Sequence, residues 1–212
     1  MKGLAKHTEA IIEDVSQLDC IRPYLLVGGT ALSLQIDCRL SENLDFMSWR
    51  TSKSEKREVD WPKIKEELST VGIVEKVDIL DIDHVEFVVS GVKLSFYANP
   101  NYSPVTQPVP FIGNIILADP LSIGAMKMEV MLRRSKFRDY YDIYCLIQKG
   151  LSINEMISKV LKYSGHRLKT KNLIAMLTNS SRFVKDRNFE YLMPRYDVTS
   201  EDIEACIKDA LV

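Results

Sequence analysis

The sequence predicts an α+β fold, in which a mixed sheet with flanking helices is followed by a C-terminal helical region. Short β-rich segments are concentrated before residue 100, and helical periodicity dominates after residue 119. Of the 212 residues, 46% are hydrophobic and 27% are charged, which is typical of a soluble protein able to bury its own core. We therefore expect an α/β core over residues 1–115 and a helical region, packed on that core, over residues 116–212.

The first predicted elements are a helix, a strand and a second, short helix. Apolar residues at helical spacing predict an amphipathic helix over residues 3–19. The apolar run 24–27 is typical of a buried strand, and Gly28-Gly29-Thr30 ends it in a tight turn, after which residues 31–34 start a short helix. Residues 44–49 then form the next predicted strand.

An antiparallel meander is predicted after a charged loop at residues 50–60. Trp61-Pro62 begins a helix that reaches about Thr70, because proline is favoured in the first turn of a helix. Turn residues separate the β-rich segments of the meander, which are 73–82, 85–90 and 92–98. The proline-rich residues 99–110 are interpreted as an irregular linker or loop.

The helical region begins at Asp119-Pro120, an N-cap residue followed by proline at the first helical position. Gly150 and Gly165 are predicted to end two of its helices as C-terminal caps.

Composition disfavours several functional classes. The four cysteines are scattered without metal-ligand spacing, which predicts reduced thiols in a cytoplasmic protein. The N-terminus has no apolar signal-peptide core, and no apolar run approaches the ~20 residues that span a bilayer, so no membrane association is expected. Residues 116–212 hold 16 Lys and Arg against 12 Asp and Glu. This basic half favours either a polyanionic partner or simply solvated helix faces.

The first candidate site is the turn Gly28-Gly29-Thr30 between a strand and a helix. Two glycines allow the backbone to approach a ligand closely, and the N–H groups of a helix N-terminus suit a phosphate. The alternative interpretation is a tight turn that binds nothing.

The second candidate site is the segment that contains Asn43 and Asp45. Residues two apart on a strand point to the same face, and paired carboxylates there can hold Mg²⁺ against a triphosphate. Only Asp45 is a carboxylate, whereas Asn43 offers an amide oxygen without the charge. The alternative is a polar strand end that binds no metal.

The third candidate site is a cationic stripe after residue 126. On a continuous helix, Lys127, Arg134 and Arg138 would lie close to one face and could neutralise phosphates. Asp139 and Asp142 could orient these cations. A salt-bridged surface helix is the alternative.

In this order, the three motifs resemble the AbiEii/AbiGii nucleotidyltransferase toxin family of the polymerase-β-like superfamily. The resemblance covers roughly residues 20–147 and implies a nucleotidyltransferase-type fold. It places Gly28, Gly29 and Thr30 at the triphosphate of an NTP, with Arg39 and Ser41 bracing the loop. Asn43 and Asp45 occupy the positions of two metal-binding aspartates.

The resemblance also assigns the helical motif. Lys127 occupies the position of a lysine that contacts the nucleotide, and the motif that follows is matched by Arg133 or Arg134, Arg138, Asp139 and Asp142. Members of the family transfer a nucleotide from an NTP to an acceptor, in some cases RNA, and are usually neutralised by a cognate antitoxin protein.

Two positions depart from the family pattern. Asn43 replaces the first metal-binding aspartate, and Ser95 stands where a third acidic residue is expected. Glu42 and Asp81 are the residues considered as replacements. A carboxylate and a cation attract by ~4 kcal/mol per pair at an effective dielectric of ~20, so both losses together predict a weakened Mg²⁺ site.

Two functions therefore follow from the sequence. The chain binds an NTP and transfers a nucleotide to an RNA acceptor from a modified site, or it is an inactive homologue that binds a nucleotide, RNA or a partner protein. A further alternative is RNA binding through the basic half, with its run His166-Arg167-Leu168-Lys169-Thr170-Lys171.

Overall fold

The computed structural model describes residues 1–54, 57–164 and 168–212. Within these ranges the helices are α1 (Lys6–Ser16), α2 (Gly28–Ile36), α3 (Trp61–Val71), α4 (Pro120–Val130), α5 (Phe137–Gln148), α6 (Ile153–Tyr163), α7 (Thr170–Leu177) and α8 (Ser200–Ala210). The strands are β1 (Leu25–Val27), β2 (Leu44–Trp49), β3 (Val74–Asp81), β4 (His84–Val89), β5 (Val92–Asn99), β6 (Val109–Ile112) and β7 (Ile115–Leu117).

The described strands form one mixed sheet in the order β3-β4-β5-β2-β1-β7-β6. Strands β2 and β5 pair in parallel, as do β1 and β7, and the other neighbours are antiparallel. The expected α+β class and the meander of β3, β4 and β5 are confirmed.

The prediction of an irregular linker or loop over residues 99–110 is wrong for residues 109–110. Strand β6 begins at Val109 and forms a hairpin with β7, which extends the sheet beyond β1. Pro110 lies in this strand because β6 is at the edge of the sheet, where a residue without an N–H is tolerated.

The two faces of the central strands differ in polarity. On one face, Phe46 stacks on Phe96 with ring centroids 5.1 Å apart, and Phe87 meets Phe96 edge to face at 5.8 Å. These rings belong to the buried core. On the other face, Asp45, Ser95 and Glu86 are half-buried and polar. The polar face is therefore available for chemistry.

The helical region begins as the sequence predicts. The carboxylate of Asp119 accepts a hydrogen bond from the N–H of Ser122 at 2.9 Å, and Pro120 is the first residue of α4. Gly150, with φ +82°, follows α5, and the N–H of Leu151 donates to the carbonyl of Leu146 in a Schellman arrangement. Gly165 lies outside the described residues, as do His166 and Arg167 of the basic run.

A continuous helix through residues 127–142 is not formed. Helix α4 ends at Val130 and α5 begins at Phe137. Between them, the N–H of Val184 donates to the carbonyl of Ser135 at 2.7 Å, and the N–H of Phe137 donates to the carbonyl of Val184 at 2.8 Å. This pairing with a distant segment diverts the backbone from the helical path, so spacing along one helix does not apply.

Candidate active site

The Gly28-Gly29-Thr30 turn forms the first turn of α2 rather than a loop before it. Gly28 has φ +68°, a conformation that favours glycine, and a Cβ atom placed on it would lie 2.9 Å from Oδ2 of Asp45. Glycine is therefore needed here for both its conformation and its size. It brings the N-terminus of α2 directly against the carboxylate of Asp45.

Arg39 and Ser41 lie against the other side of this turn. A Cβ atom on Gly29 would lie 2.5 Å from Nη2 of Arg39. The hydroxyl of Thr30 is 2.8 Å from Oγ of Ser41 and also bonds the carbonyl of Asn43. These contacts fix the turn relative to the start of β2.

Five charged residues form what we call the buried ionic cluster: Arg39, Lys127, Arg134, Asp139 and Asp142. Nε and Nη2 of Arg39 each donate to Asp142 at 2.8 Å. Nζ of Lys127 lies 2.7 Å from Oδ2 of Asp142 and 3.1 Å from Oδ1 of Asp139. Nε of Arg134 donates to Asp139 at 2.9 Å. Both carboxylates thus hold two cations each.

The pKa shifts of this cluster follow from its pairing. Burial alone raises the pKa of Asp142, but Arg39 and Lys127 outweigh it and hold that pKa below the ordinary value. Burial likewise raises the pKa of Asp139, and Lys127 and Arg134 reverse the shift. Burial lowers the pKa of Lys127, and the two carboxylates raise it above its usual range. The ionised forms are therefore stabilised by mutual pairing.

The remaining predicted cations lie outside the buried ionic cluster. Arg138 bonds Asp186, 48 residues further along the chain, through Nε at 2.9 Å and through its backbone N–H. Arg133, which is exposed beyond the end of α4, donates to the buried Glu129 of that helix at 3.1 Å. Among the described residues, the ion pairs of Arg133 and Arg138 are thus with Glu129 and Asp186 and not with the two carboxylates of the cluster.

Asp45, Ser95 and Glu86 form what we call the open row. Asp45 of β2 is in register with Ser95 of β5, which is in register with Glu86 of β4. All three side chains lie on the polar face and are half-buried. Nζ of Lys93 is 2.6 Å from Oε1 of Glu86, and Nε2 of His84 is 3.2 Å from Oγ of Ser95.

The carboxylate of Asp45 differs from those of the buried ionic cluster. Among the described residues, none forms an ion pair with it. Burial raises its pKa, and Lys93, Lys127 and Arg134 offset this only in part. Asp45 is thus short of positive charge, a condition that a bound cation would relieve.

Neither replacement carboxylate considered from the sequence lies in the open row. Glu42 is exposed and precedes β2, and Asp81 is exposed at the end of the edge strand β3, where it accepts from the N–H of Ile82. Sequence reasoning missed Glu86. The Ser90-Gly91 turn contained the signal, because a hairpin closed there pairs Glu86 with Ser95.

The described donor set fits one Mg²⁺ bound together with a triphosphate. Mg²⁺ commonly takes one or two carboxylates, several waters and substrate phosphates, and Asp45 can supply a carboxylate. Asn43 lies immediately before β2. No group of three His, Cys, Asp or Glu side chains suited to a metal occurs among the described residues. A site for two cations held by three carboxylates is therefore not formed in this part of the chain.

Comparisons with known proteins agree with the fold. The family model described as nucleotidyl transferase AbiEii toxin, Type IV TA system, matches residues 15–208. An uncharacterized protein of Aquifex aeolicus, aq_aa25, is 25% identical over 223 residues, which cover all of this chain and 99% of that protein.

Two solved structures have a similar fold at low identity. MenT4, a nucleotidyltransferase toxin of Mycobacterium tuberculosis, superposes with a TM-score of 0.59 at 15% identity, covering 98% of this chain and 84% of its own. JHP933 of Helicobacter pylori gives a TM-score of 0.53 at 18% identity, covering 97% and 89%. Within the described residues, no helix has the length and apolar character needed to cross a membrane.

Proposed function

Because the chain belongs to the AbiEii nucleotidyl transferase toxin family, we propose that it binds an NTP beside Asp45 and transfers the nucleotide to an RNA acceptor. The observation that supports this most is the contact between Gly28 and Asp45. It places the positive end of a helix, which suits a phosphate, next to a carboxylate that forms no ion pair with any described residue.

The chain's own residues have distinct roles in this proposal. The N–H groups at the start of α2 bind a phosphate of the NTP, and Asp45 binds its cation. Bound Mg²⁺ supplies charge neutralisation and polarises the phosphate oxygens. In the transfer, an acceptor hydroxyl oxygen bonds the α-phosphorus, the bond to the β-phosphate breaks, and pyrophosphate leaves while the hydroxyl proton passes to solvent.

Lys127 acts here through position rather than by direct contact with the nucleotide. Its ammonium group already holds Asp139 and Asp142, and binding a phosphate would require it to leave two buried carboxylates. Its charge still reaches Asp45, where it offsets part of the rise in pKa that burial causes. Arg134, which is partly exposed, is better placed to turn toward a ligand.

The second candidate function is nucleotide binding without transfer. Asn43 and Ser95 stand where the family pattern has carboxylates, and each replacement removes one negative charge from the cation site. In that case the chain retains the phosphate site at α2 and acts by binding a nucleotide, RNA or a partner protein.

Incubation with each labelled NTP, Mg²⁺ or Mn²⁺ and total RNA distinguishes these functions. We expect label in RNA, its loss in Asp45→Asn, and its retention in the matched control Glu42→Gln, which removes an exposed carboxylate three residues away. Nucleotide binding without transfer in every condition would favour the second candidate. No binding of any NTP would contradict both.

The double variant Asn43→Asp/Ser95→Asp sharpens the test. If these positions belong to the cation site, restoring both carboxylates raises transfer at least roughly tenfold, the size of one ~1.4 kcal/mol gain. Unchanged transfer would place the two residues outside the reacting centre.

The family describes toxins of toxin–antitoxin systems, so we further propose that a cognate antitoxin counteracts this chain in the cytoplasm. Expression of the chain should slow growth, Asp45→Asn should relieve the effect, and a neighbouring open reading frame should suppress it. Equal growth inhibition by Asp45→Asn would contradict toxicity through nucleotidyl transfer.

A further inference from the structure

We propose that Glu86 is the second carboxylate ligand of the cation site, reaching across Ser95 toward the cation held by Asp45. This inference rests on the proposed function, because it names a residue of the same site. It also accounts for the replacement of the acidic residue expected at position 95.

Strand register places the two carboxylates on opposite sides of Ser95. Asp45 pairs with Ser95 on one side and Glu86 pairs with it on the other, and all three point to the polar face. Neighbouring strands are about 4.8 Å apart, so the Cα atoms of Asp45 and Glu86 are separated by roughly 10 Å.

That separation matches one bridging cation. The first bond of each side chain stands roughly perpendicular to the sheet, so only the bonds beyond Cβ span the distance between the strands. At ~1.2–1.5 Å per bond, a carboxylate oxygen reaches about 2.4 Å from Cβ in an aspartate and about 3.6 Å in a glutamate. The remaining gap of about 4 Å equals two metal–oxygen bonds of ~2.1 Å. A shorter side chain at position 86 would not reach, and Asp45 alone would leave the cation with one carboxylate.

The small side chain between them leaves this space open. Ser95 projects only a hydroxyl, which lies 3.2 Å from Nε2 of His84. An aspartate at position 95 would place its carboxylate in the gap and make a reach from β4 unnecessary. The carboxylate expected at position 95 is therefore absent, and we infer that the carboxylate of Glu86 on the neighbouring strand supplies its negative charge to the cation site.

The ammonium group of Lys93 neutralises Glu86 in this structure. Its Nζ lies 2.6 Å from Oε1 of Glu86, and its side chain is 40% exposed. A surface pair of this kind contributes little stability, so a divalent cation can displace it at low cost. The released ammonium would then face the triphosphate, because Lys93 lies two residues before Ser95 on the same face.

Binding of Mn²⁺ to the intact protein tests the inference. The loss of the free Mn²⁺ signal in electron paramagnetic resonance, with and without ATP, gives the affinity. We expect Glu86→Gln to weaken Mn²⁺ binding roughly tenfold or more. The matched control is Asp78→Asn, which removes the same charge in the same row one strand further from Asp45 and should leave the affinity unchanged.

A rescue variant separates a ligand from a merely structural residue. Ser95→Asp/Glu86→Gln should recover the Mn²⁺ affinity lost in Glu86→Gln, because the new carboxylate fills the gap. Equal affinity of wild type and Glu86→Gln would overturn the inference, and so would wild-type binding that Asp78→Asn weakens as much.

Binding of labelled ATP in the same samples separates this inference from the proposed function. ATP and Mn²⁺ bound by wild type, with Glu86→Gln unaffected, would overturn only the role of Glu86. Neither ligand bound by wild type would overturn the role of Glu86 together with the proposed function. Urea unfolding of each variant verifies that the compared proteins are folded.

Discussion

The buried ionic cluster and the open row lie on either side of the Gly28-Gly29 turn and use their charges differently. In the cluster, Asp142 holds Arg39 and Lys127 at 2.7–2.8 Å, and every member is paired within the protein. In the open row, burial raises the pKa of Asp45, and none of the described residues forms an ion pair with it.

This difference distinguishes charges that stabilise the fold from a charge that can bind a ligand. A group whose charge is satisfied inside the protein stabilises the fold, whereas a half-buried charge without a partner is available to a ligand. The cluster connects Asp142 of α5 to Arg39, which lies against Gly29 of the turn. In the open row, the carboxylate of Asp45 lies against Gly28 of the same turn. Removing a carboxylate charge should therefore lower the free energy of unfolding in the cluster, and should leave it unchanged or raise it slightly at Asp45.

Removal of the central charge of the cluster should have the largest effect. Asp142→Asn leaves Arg39 and Lys127 buried without their shared carboxylate, and loss of one partner of a buried pair costs about 3–5 kcal/mol. Urea unfolding at neutral pH measures the loss. A loss below about 1 kcal/mol would show that the cluster does not stabilise the fold.

Acid should weaken the protein mainly through the same cluster. The pKa values of Asp139 and Asp142 are lowered on folding, so their stabilisation is complete above the unfolded value of 3.8. It is lost as the pH falls through their folded pKa values. Unfolding free energies measured from neutral pH to below 3.8 should decline steeply, and the decline should be shallower in Asp142→Asn. Parallel curves would contradict this assignment.

Gly28→Ala should cost an intermediate amount and disturb both regions. Gly28 combines φ +68° with a Cβ position 2.9 Å from Asp45, so strain and a clash act together. Gly91→Ala is the matched control, since Gly91 has φ +77° but open space around its Cβ position. We expect about 1–2 kcal/mol for Gly91→Ala from backbone strain alone and a larger loss for Gly28→Ala. Equal losses in urea unfolding would exclude the clash.

Asp45→Asn should change the free energy of unfolding least. The change should be opposite in sign to that of Asp142→Asn, so that the protein is slightly stabilised or unaffected. The folded-state pKa of Asp45 is raised, so its protonated form is favoured by folding and stability is lost as pH rises through that folded pKa. At neutral pH the amide removes this cost, and unfolding should need the same urea concentration or slightly more. A loss comparable to that of Asp142→Asn would erase the contrast between the regions.

Local sequence signals predicted the parts of the fold that depend on neighbouring residues. The strand before Gly28, the start of α4 at Asp119-Pro120 and the end of α5 at Gly150 are each set by glycine, proline or a capping side chain. The family motifs located Asp45 and the turn for the same reason, since both lie on one short segment of chain.

The features that could not be predicted from the sequence depend on contacts between residues far apart in the chain. The parallel pairing of β2 with β5 brings Glu86 into the row of Asp45, and the two strands are more than 40 residues apart. The pairing of Ser135 and Phe137 with Val184 ends the helical path that the cationic spacing had assumed. Lys127 likewise became a buried partner of Asp139 and Asp142 only through the packing of α4 on α5.

The most direct test of the account is the position of a bound cation. A crystal grown with Mn²⁺ and a non-hydrolysable ATP analogue should show an anomalous peak within bonding distance of the carboxylates of Asp45 and Glu86, with phosphate at the N-terminus of α2. A peak between Asp139 and Asp142, with Lys127 displaced, would contradict it and place the ligand site in the buried ionic cluster.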